Sequence, residues 1–591
     1  MHIVKIIQDS VIKVLENLYQ QPFIPSDFQI NQTKAEFEGD YTVVLFSLLK
    51  KTKLSPAKLG EDLGGALIAN QPHIYASYNI INGFLNITVA NEYWLDYLAK
   101  NSSKDQPGRQ EANGKKVMVE YASPNTNKPL HLGHLRNIFL GWSIAEILKY
   151  RGYEVLKGCI VNDRGIHICK SMIAWQKFAN GATPQTAGIK GDHFVGEYYV
   201  KFNDEYKKQV SEGLARGLDK DTAEKLTPIL LEAQDMLLKW EEGDPEVKTL
   251  WAKMNGWVYE GFDETYKKIG SDFDRVYYES NTYLLGKEIV QQGIQKNVFF
   301  KKEDGSVWID LEKEGLGEKL VLRKDGTSVY ITQDIGLAQQ RYEEEKIDRC
   351  IYVIGDEQNY HMKVLQQIAK HMGLPYAQDI YHLSYGMVEL PGGKMKSREG
   401  TVVDADDIID EMENVARIKT EELGKVKDFT TQELQNLYHI IGVGALKFFL
   451  LRVDPKKKMI FNPEESIDFH GFTGPFIQFN HARIKSILRK NKIDEDAKPS
   501  GSFLPLEKEL LVLLERFSTT VAQASEEMNP AALAIYIYQL AKTFSSFYNE
   551  HSIAAAETEA KKQLRLLLSR ATANTIKAGM NLLGIDVPER M

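Results

Sequence analysis

The chain has little cysteine. Its 591 residues include three cysteines, Cys159, Cys169 and Cys350, and no Cys-x-x-Cys pair. That pattern argues against a structural zinc site and a disulfide scaffold, so no protein-bound zinc is expected and a reducing compartment is. Long apolar runs are scarce as well. The opening stretch MHIVKIIQDSVIKVLENLYQ mixes charges into an amphipathic pattern, unlike a secretory leader. The most apolar stretch, IIGVGALKFFLL, contains Lys447 and is half the roughly 20 residues a membrane crossing needs. A cytoplasmic protein without membrane contact is expected. Positive charge is not in excess either: 73 Lys and Arg against 81 Asp and Glu leave a net −8. A nucleic-acid partner would therefore have to meet a local basic face. No internal repeat and no low-complexity tract is present.

What is present is length and alternation. A chain of this size holds about four domains' worth of residues at roughly 150 each. Residues 1–105 mix helical patterns with short strands, among them the helix KLSPAKLGEDLGGAL, with Ser55 as N-cap and Pro56 in its first turn, and the strand GFLNITVA. The polar stretch NSSKDQPGRQEANG, 101–114, reads as a linker. KKVMVEYAS, HLRNIFLGWSIAEILKYRG and YEVLKGCIVND then read as strand, helix and strand, which makes a βαβ unit and implies a parallel sheet. A charged helical insertion spans about 180–255, after which strands and helices alternate again to about 415. Residues 416–591 read as helical throughout. The expected fold is multidomain α/β: a small α+β N-terminal domain (1–105), a Rossmann-type parallel-sheet core with its insertion (113–415) and an all-α C-terminal domain (416–591).

Two segments carry phosphate chemistry. In SPNTNKPLHLGHLRN, Gly133 separates His131 and His134 where a loop becomes a helix. A helix N-terminus offers free N–H groups and partial positive charge, and histidines three apart share a face. HxGH alone is equally consistent with an ordinary helix start; its place in a βαβ unit after a Pro- and Asn-rich loop favours phosphate binding. GGKMKSREG, 392–400, supplies Gly, Lys, Ser and Arg in a second such loop.

The segment HLGH resembles the first signature of class I aminoacyl-tRNA synthetases, and GKMKSREG falls where that class carries its second. VEYASPNTNKPLHLGHLRN, DGTSVYITQDIG, FTGPFIQFNHARIKSIL, PERM and FEGDYT are together similar to arginyl-tRNA synthetases, over essentially the whole chain. The resemblance implies ligation of L-arginine to tRNA(Arg) through an arginyl-adenylate, with ATP and Mg2+ as the cofactor pair, tRNA required for the first step, and a monomer. It implies catalytic roles for Lys128, His131, His134 and Lys394. ATP contacts would come from His131, Gly133, His134, Gly355, Glu357, Lys394, Met395 and Arg398. Glu120, Tyr330 and Asp334 would surround the guanidinium, with Asn125 and Gln358 at the α-amino end. Phe476, Gln478, Phe479, His481, Arg483 and Lys485 would meet the tRNA, aromatics stacking on bases and cations on the backbone.

The residues allow other readings at several of these points. Asp334 follows the apparent strand SVYIT and also suits an N-cap. Tyr330 also suits plain strand filler, and His361 suits packing on its own helix. In VNDRGIH, Arg164 and His167 stand where the family more often has Trp and Gln. Ser397 replaces the second lysine of the general signature; Lys128, on the opposite loop, is placed to supply the missing cation, with Lys396 as a further candidate. A cysteine-specific synthetase would want zinc ligands, and a glutamate-specific one a basic pocket. A synthetase-like RNA-binding protein that has lost catalysis is the alternative of another kind, and the intact His131–Gly133–His134 turn argues against it.

Overall fold

The computed structural model describes residues 2–34, 36–389, 403–424, 428–495 and 498–591. Lys394, Met395, Lys396 and Arg398, with the rest of Gly392–Gly400, lie outside the described residues.

Residues 2–101 build an antiparallel sheet in the order β1-β2-β4-β3, from β1 (Ile30–Gln32), β2 (Tyr41–Val44), β3 (Tyr75–Ile81) and β4 (Phe84–Val89). The helix Pro56–Asn70 starts as its sequence dictates: Ser55 Oγ accepts the Lys58 N–H at 3.3 Å and Pro56 sits in the first turn. A Cβ at Gly64 would lie 2.6 Å from the Tyr78 ring, so glycine lets this helix press onto β3.

The central sheet is wholly parallel, in the order β12-β11-β5-β6-β7, from β5 (Lys116–Glu120), β6 (Glu154–Val161), β7 (Arg275–Tyr278), β11 (Arg349–Gly355) and β12 (Ile380–Tyr385). Four of the five β5 residues are buried, as expected of a strand covered on both faces. The chain moves outward from β5 to β6 and β7 on one side and to β11 and β12 on the other. The crevice between the C-terminal ends of β5 and β11 is therefore the switch point where open α/β sheets bind ligands. A small antiparallel sheet, β8 (Phe300–Lys301), β9 (Val307–Leu311) and β10 (Gly317–Leu322), lies between β7 and β11 in sequence.

Two expectations need correction. The helical insertion extends beyond 180–255: the helices Ile166–Phe178, Gly191–Ala215, Pro228–Glu242 and Pro245–Lys268 all fall between β6 and β7. SVYIT is not a strand; a helix begins at Tyr330 and runs to Glu345. Its β-branched residues favour a strand locally, but Ile331, Thr332 and Ile335 gain burial on one face of a helix, and packing overrides propensity. Asp334 is consequently inside the helix, not its cap.

The C-terminal region is helical, built on Thr431–Leu451, Gly474–Lys490, Pro505–Glu526, Pro530–Glu550 and Glu559–Leu582. Among the described residues, Thr431–Leu451 is the one helix long and apolar enough to cross a membrane, and 67% of its apolar window is buried inside the protein, as in a core helix.

Candidate active site

The His131 turn begins the helix Leu132–Tyr150, which follows β5. His131 is its N-cap, and its Nδ1 accepts the Gly133 N–H at 3.1 Å. The Nδ1 of His134 accepts the His131 N–H, also at 3.1 Å. The ring centroids are 3.8 Å apart. A ring nitrogen that accepts carries no proton, so in the neutral state each imidazole bears its hydrogen on Nε2 and is a donor there. Burial, then the nearby Lys128 charge, lowers the His131 pKa to about 3, and burial holds His134 well below its usual value. Both rings are neutral donors at ordinary pH. A cavity of about 470 Å³ opens beside them, lined by Lys128, His131, His193, Tyr199 and Asp404.

The expected guanidinium carboxylates divide into two environments. Glu120 is 5% exposed and is engaged by the guanidinium of Arg341, itself 1% exposed. The Tyr277 ring lies 4.6 Å from that guanidinium. Burial pushes the Glu120 carboxyl up, and Arg341 opposes this. Glu120 is therefore not a vacant acceptor, as the sequence reading expected; a guanidinium of the chain already occupies it. Asp334 is accessible from solvent, with Oδ2 at 2.5 Å from His361 Nε2. That contact reaches across from the helix Asn359–His371, so His361 does not pack on its own helix. Tyr330, one turn before Asp334, is 74% exposed. Glu279 is a third carboxyl here, pushed up to about 7 by burial, against the opposing charge of Arg164 and with Asp163 and Asp334 adding to the rise.

Gly355 ends β11, and a Cβ there would meet the Glu357 carboxylate at 2.7 Å, a contact that the exposed Glu357 side chain can relieve by moving. Glu357 and Gln358 are exposed beyond it, as is Asn125 beyond β5, where Asn125 forms a bridge to Asn162.

The turn that follows β6 is tightly packed. Asp163 is 1% exposed; its carboxylate accepts from Tyr259 at 2.9 Å and from the Ser280 backbone and hydroxyl at 2.8 and 2.6 Å. Gly165 takes φ +100° as the N-cap of Ile166–Phe178. Arg164 stacks 3.9 Å from the Tyr283 ring and 5.2 Å from that of Trp240, and bonds Glu241 at 2.6 Å. His167 lies 3.1 Å from the Tyr199 hydroxyl. The Arg164 contacts thus tie the insertion to the core, and the His167 contact joins two helices of the insertion.

On Gly474–Lys490 the expected RNA residues separate by helical face. Gln478 and His481 are buried. Gln478 donates to the carbonyls of Ile440 and Asp586 at 3.0 and 2.8 Å. His481 Nδ1 is 3.0 Å from the Pro588 carbonyl, and burial lowers its pKa to about 4. These two are corrected to core residues that dock the chain's last turn: with Ile477 and Ile484 they form the inward stripe. The outward stripe carries Phe479 and Arg483, whose guanidinium lies 4.8 Å from the Phe479 ring and 5.0 Å from that of Tyr548. A cavity of about 970 Å³ here is lined by Phe479, Arg483, Arg489, Lys490, Tyr548 and Arg590. Phe476 packs on Tyr538 at 5.4 Å, and Lys485 pairs with Glu589 at 3.2 Å.

Among the described residues, one group has metal-ligand spacing, Asp192, His193 and Asp406. Lys190 already supplies its cation, with Nζ 3.1 Å from Asp192 and 2.7 Å from Asp406.

A histidine-bearing helix start at the switch point of a parallel sheet, with a carboxylate opposite, defines a nucleotide-dependent site of the class I aminoacyl-tRNA synthetases. Residues 98–462 match the family model described as tRNA synthetases class I (R), catalytic domain. Residues 3–89 match the arginyl tRNA synthetase N terminal domain, and 477–591 the DALR anticodon binding domain. The chain belongs to the arginyl-tRNA synthetase family. It is 51% identical to the arginine–tRNA ligase of Bacteroides thetaiotaomicron over 98% of both chains, and 50% identical to that of Flavobacterium psychrophilum over the whole of both. Among solved structures, the Thermus thermophilus arginyl-tRNA synthetase matches 99% of this chain and all of its own, with a TM-score of 0.79 at 25% identity. The Plasmodium falciparum enzyme shares the fold, with a TM-score of 0.75 at 19% identity.

Proposed function

We propose that the crevice between β5 and β11 joins L-arginine to tRNA(Arg) in two steps at the expense of ATP, using the residues named above. In the first step an arginine carboxylate oxygen bonds to the α-phosphorus, the bond to the bridging oxygen breaks, and diphosphate leaves. In the second, a hydroxyl of the tRNA's terminal ribose attacks the arginyl carbonyl and AMP leaves. Neither step needs a protein nucleophile; positioning and charge stabilisation suffice.

His131 and His134 donate Nε2–H to phosphate oxygens as charge grows on the departing diphosphate, and Lys128 adds a full positive charge. Lys394, Met395 and Arg398 complete the clamp from the second signature. Mg2+ enters with ATP, held mainly by the phosphates. Gly355 and Glu357 take the ribose side. Asp334 and Tyr330 receive the substrate guanidinium, while Asn125 and Gln358 hold the α-amino group. Glu120, satisfied by Arg341, shapes the floor of the pocket and leaves the accepting to Asp334. Phe476, Phe479, Arg483 and Lys485 meet the tRNA. The chain acts as a cytoplasmic monomer, divided near residues 105 and 415.

The observation that carries this reading is the geometry of the paired histidines: at the start of a helix and beside a lysine, each Nδ1 accepts a backbone N–H, which leaves Nε2 to donate. ATP–diphosphate exchange, run with each amino acid and with or without tRNA(Arg), tests it. Exchange with arginine alone, dependent on tRNA, is the expected result. Exchange with another amino acid, or none at all, overturns it.

A further inference from the structure

The insertion between β6 and β7 has no role in the chemistry described above, yet it touches the His131 turn directly. A Cβ at Gly196 would lie 2.8 Å from the Pro129 ring, so the helix Gly191–Ala215 rests on the residue next to Lys128. At the start of that helix is a knot of charged groups. Lys190 Nζ bonds Asp192 at 3.1 Å, the Thr265 hydroxyl at 2.6 Å and Asp406 at 2.7 Å. His193 Nε2 lies 3.1 Å from Asp406 Oδ2 and 3.3 Å from Asp404 Oδ2. Thr265, from the last helix of the insertion, reaches the other Asp406 oxygen at 3.0 Å.

The two aspartates in turn fix the histidine signature. Asp404 caps the helix Ala405–Glu422, accepting from the Asp406 N–H at 2.7 Å. The Ala405 N–H donates to the Leu130 carbonyl at 3.0 Å, and the Leu132 N–H to the Val403 carbonyl at 3.3 Å. His131 is bridged to Asp404 between these two bonds. Lys190 and His193 therefore hold Asp406 and Asp404, and the residues on either side of Asp404 hydrogen-bond the backbone on both sides of His131. His193 also borders the same cavity as Lys128 and His131.

We propose that His193 and Lys190 are positioning residues for adenylation: with Asp404 and Asp406 they brace the His131 turn, which makes the insertion a structural part of the nucleotide site. A phosphate contact displaced by even 1 Å loses much of its catalytic value, so a brace outside the site acts on the rate. The brace rests on the reading that His131 meets the phosphates of ATP.

The test is exchange kinetics on the full-length enzyme with tRNA present, comparing His193→Ala, His193→Gln, Asp406→Asn and His131→Ala, each checked by circular dichroism and thermal unfolding. His193→Ala is expected to raise the KM for ATP or lower kcat five- to tenfold, with the KM for arginine within twofold of the parent. His193→Gln, whose amide N–H still reaches Asp406, recovers most of the loss, and Asp406→Asn reproduces the alanine defect. If His131→Ala is impaired and His193→Ala and Asp406→Asn are both unaffected, the brace is overturned while the ATP site stands. If His131→Ala itself leaves the ATP parameters unchanged, the reading of the site fails and the brace with it. A defect spread equally over arginine and ATP, or a glutamine variant no better than alanine, also overturns the proposal.

Discussion

Arg341 lays its guanidinium against the carboxylate of Glu120 beneath the crevice, so the chain supplies from one of its own helices the group that its substrate carries. The pair is almost fully buried. Arg341 lies on the same helix as Tyr330 and Asp334, so the contact also fixes the position of that helix against the end of β5.

Removing one partner leaves a buried charge without its counterion. Arg341→Met and Glu120→Gln are each expected to lower stability by about 3–5 kcal/mol. The double variant should lose less than the sum of the two. Denaturant unfolding of the four proteins measures this, and additive losses would contradict a coupled pair.

His131 makes stability depend on pH. Its folded pKa, about 3, lies below the ordinary 6.5, so the unfolded chain takes up a proton that the folded chain refuses. Stability from this group is present above the unfolded pKa and is lost as pH falls below it, by about 2 kcal/mol at pH 5. Unfolding midpoints of the parent and His131→Gln between pH 8 and 5 report the difference. Adenylation should also fall about 10²–10³-fold in His131→Ala, the usual effect of losing one donor to developing charge.

If Asp334 receives the substrate guanidinium as proposed, its pair with His361 couples substrate to proton. The hydrogen bond to Asp334 raises the His361 pKa. A guanidinium arriving at Asp334 repels that imidazolium and favours its loss of a proton. Arginine should therefore bind more tightly as pH rises through the raised His361 pKa, and the dependence should disappear in His361→Gln. Isothermal titration in buffers of different ionisation enthalpy detects the released proton.

Arg164 performs a packing role between the insertion and the core. Its contacts with Trp240 and Tyr283 predict a loss of about 1–2 kcal/mol in Arg164→Ala. Lysine lacks the planar group that stacks, so Arg164→Lys should recover little. Thermal unfolding distinguishes the two.

The two faces of Gly474–Lys490 should separate in function. Arg483→Ala is expected to weaken tRNA binding and reduce its salt dependence by about one phosphate contact. His481→Ala should instead destabilise the docking of the C-terminal residues, with tRNA affinity changing only as folding fails. Filter binding across salt concentrations, paired with unfolding curves, checks both.

The sequence by itself determined the βαβ unit, the parallel core, the helical C-terminal region and the family. Each depends on local pattern: continuous apolar strands, a glycine between histidines at a helix start, helical periodicity after residue 415. Helical period was legible too, but which stripe faced inward was not, since Gln478 and His481 look as suited to RNA as Phe479 and Arg483. Only the tertiary structure decided that the carbonyls of Ile440, Asp586 and Pro588 come to meet them. Distance along the chain hid the rest in the same way. Glu120 and Arg341 are 221 residues apart, and His193 and Asp406 are 213 apart. Partners so distant are brought together by packing alone, and packing determined that Glu120 is buried against Arg341 while Asp334 stays open to solvent beside His361.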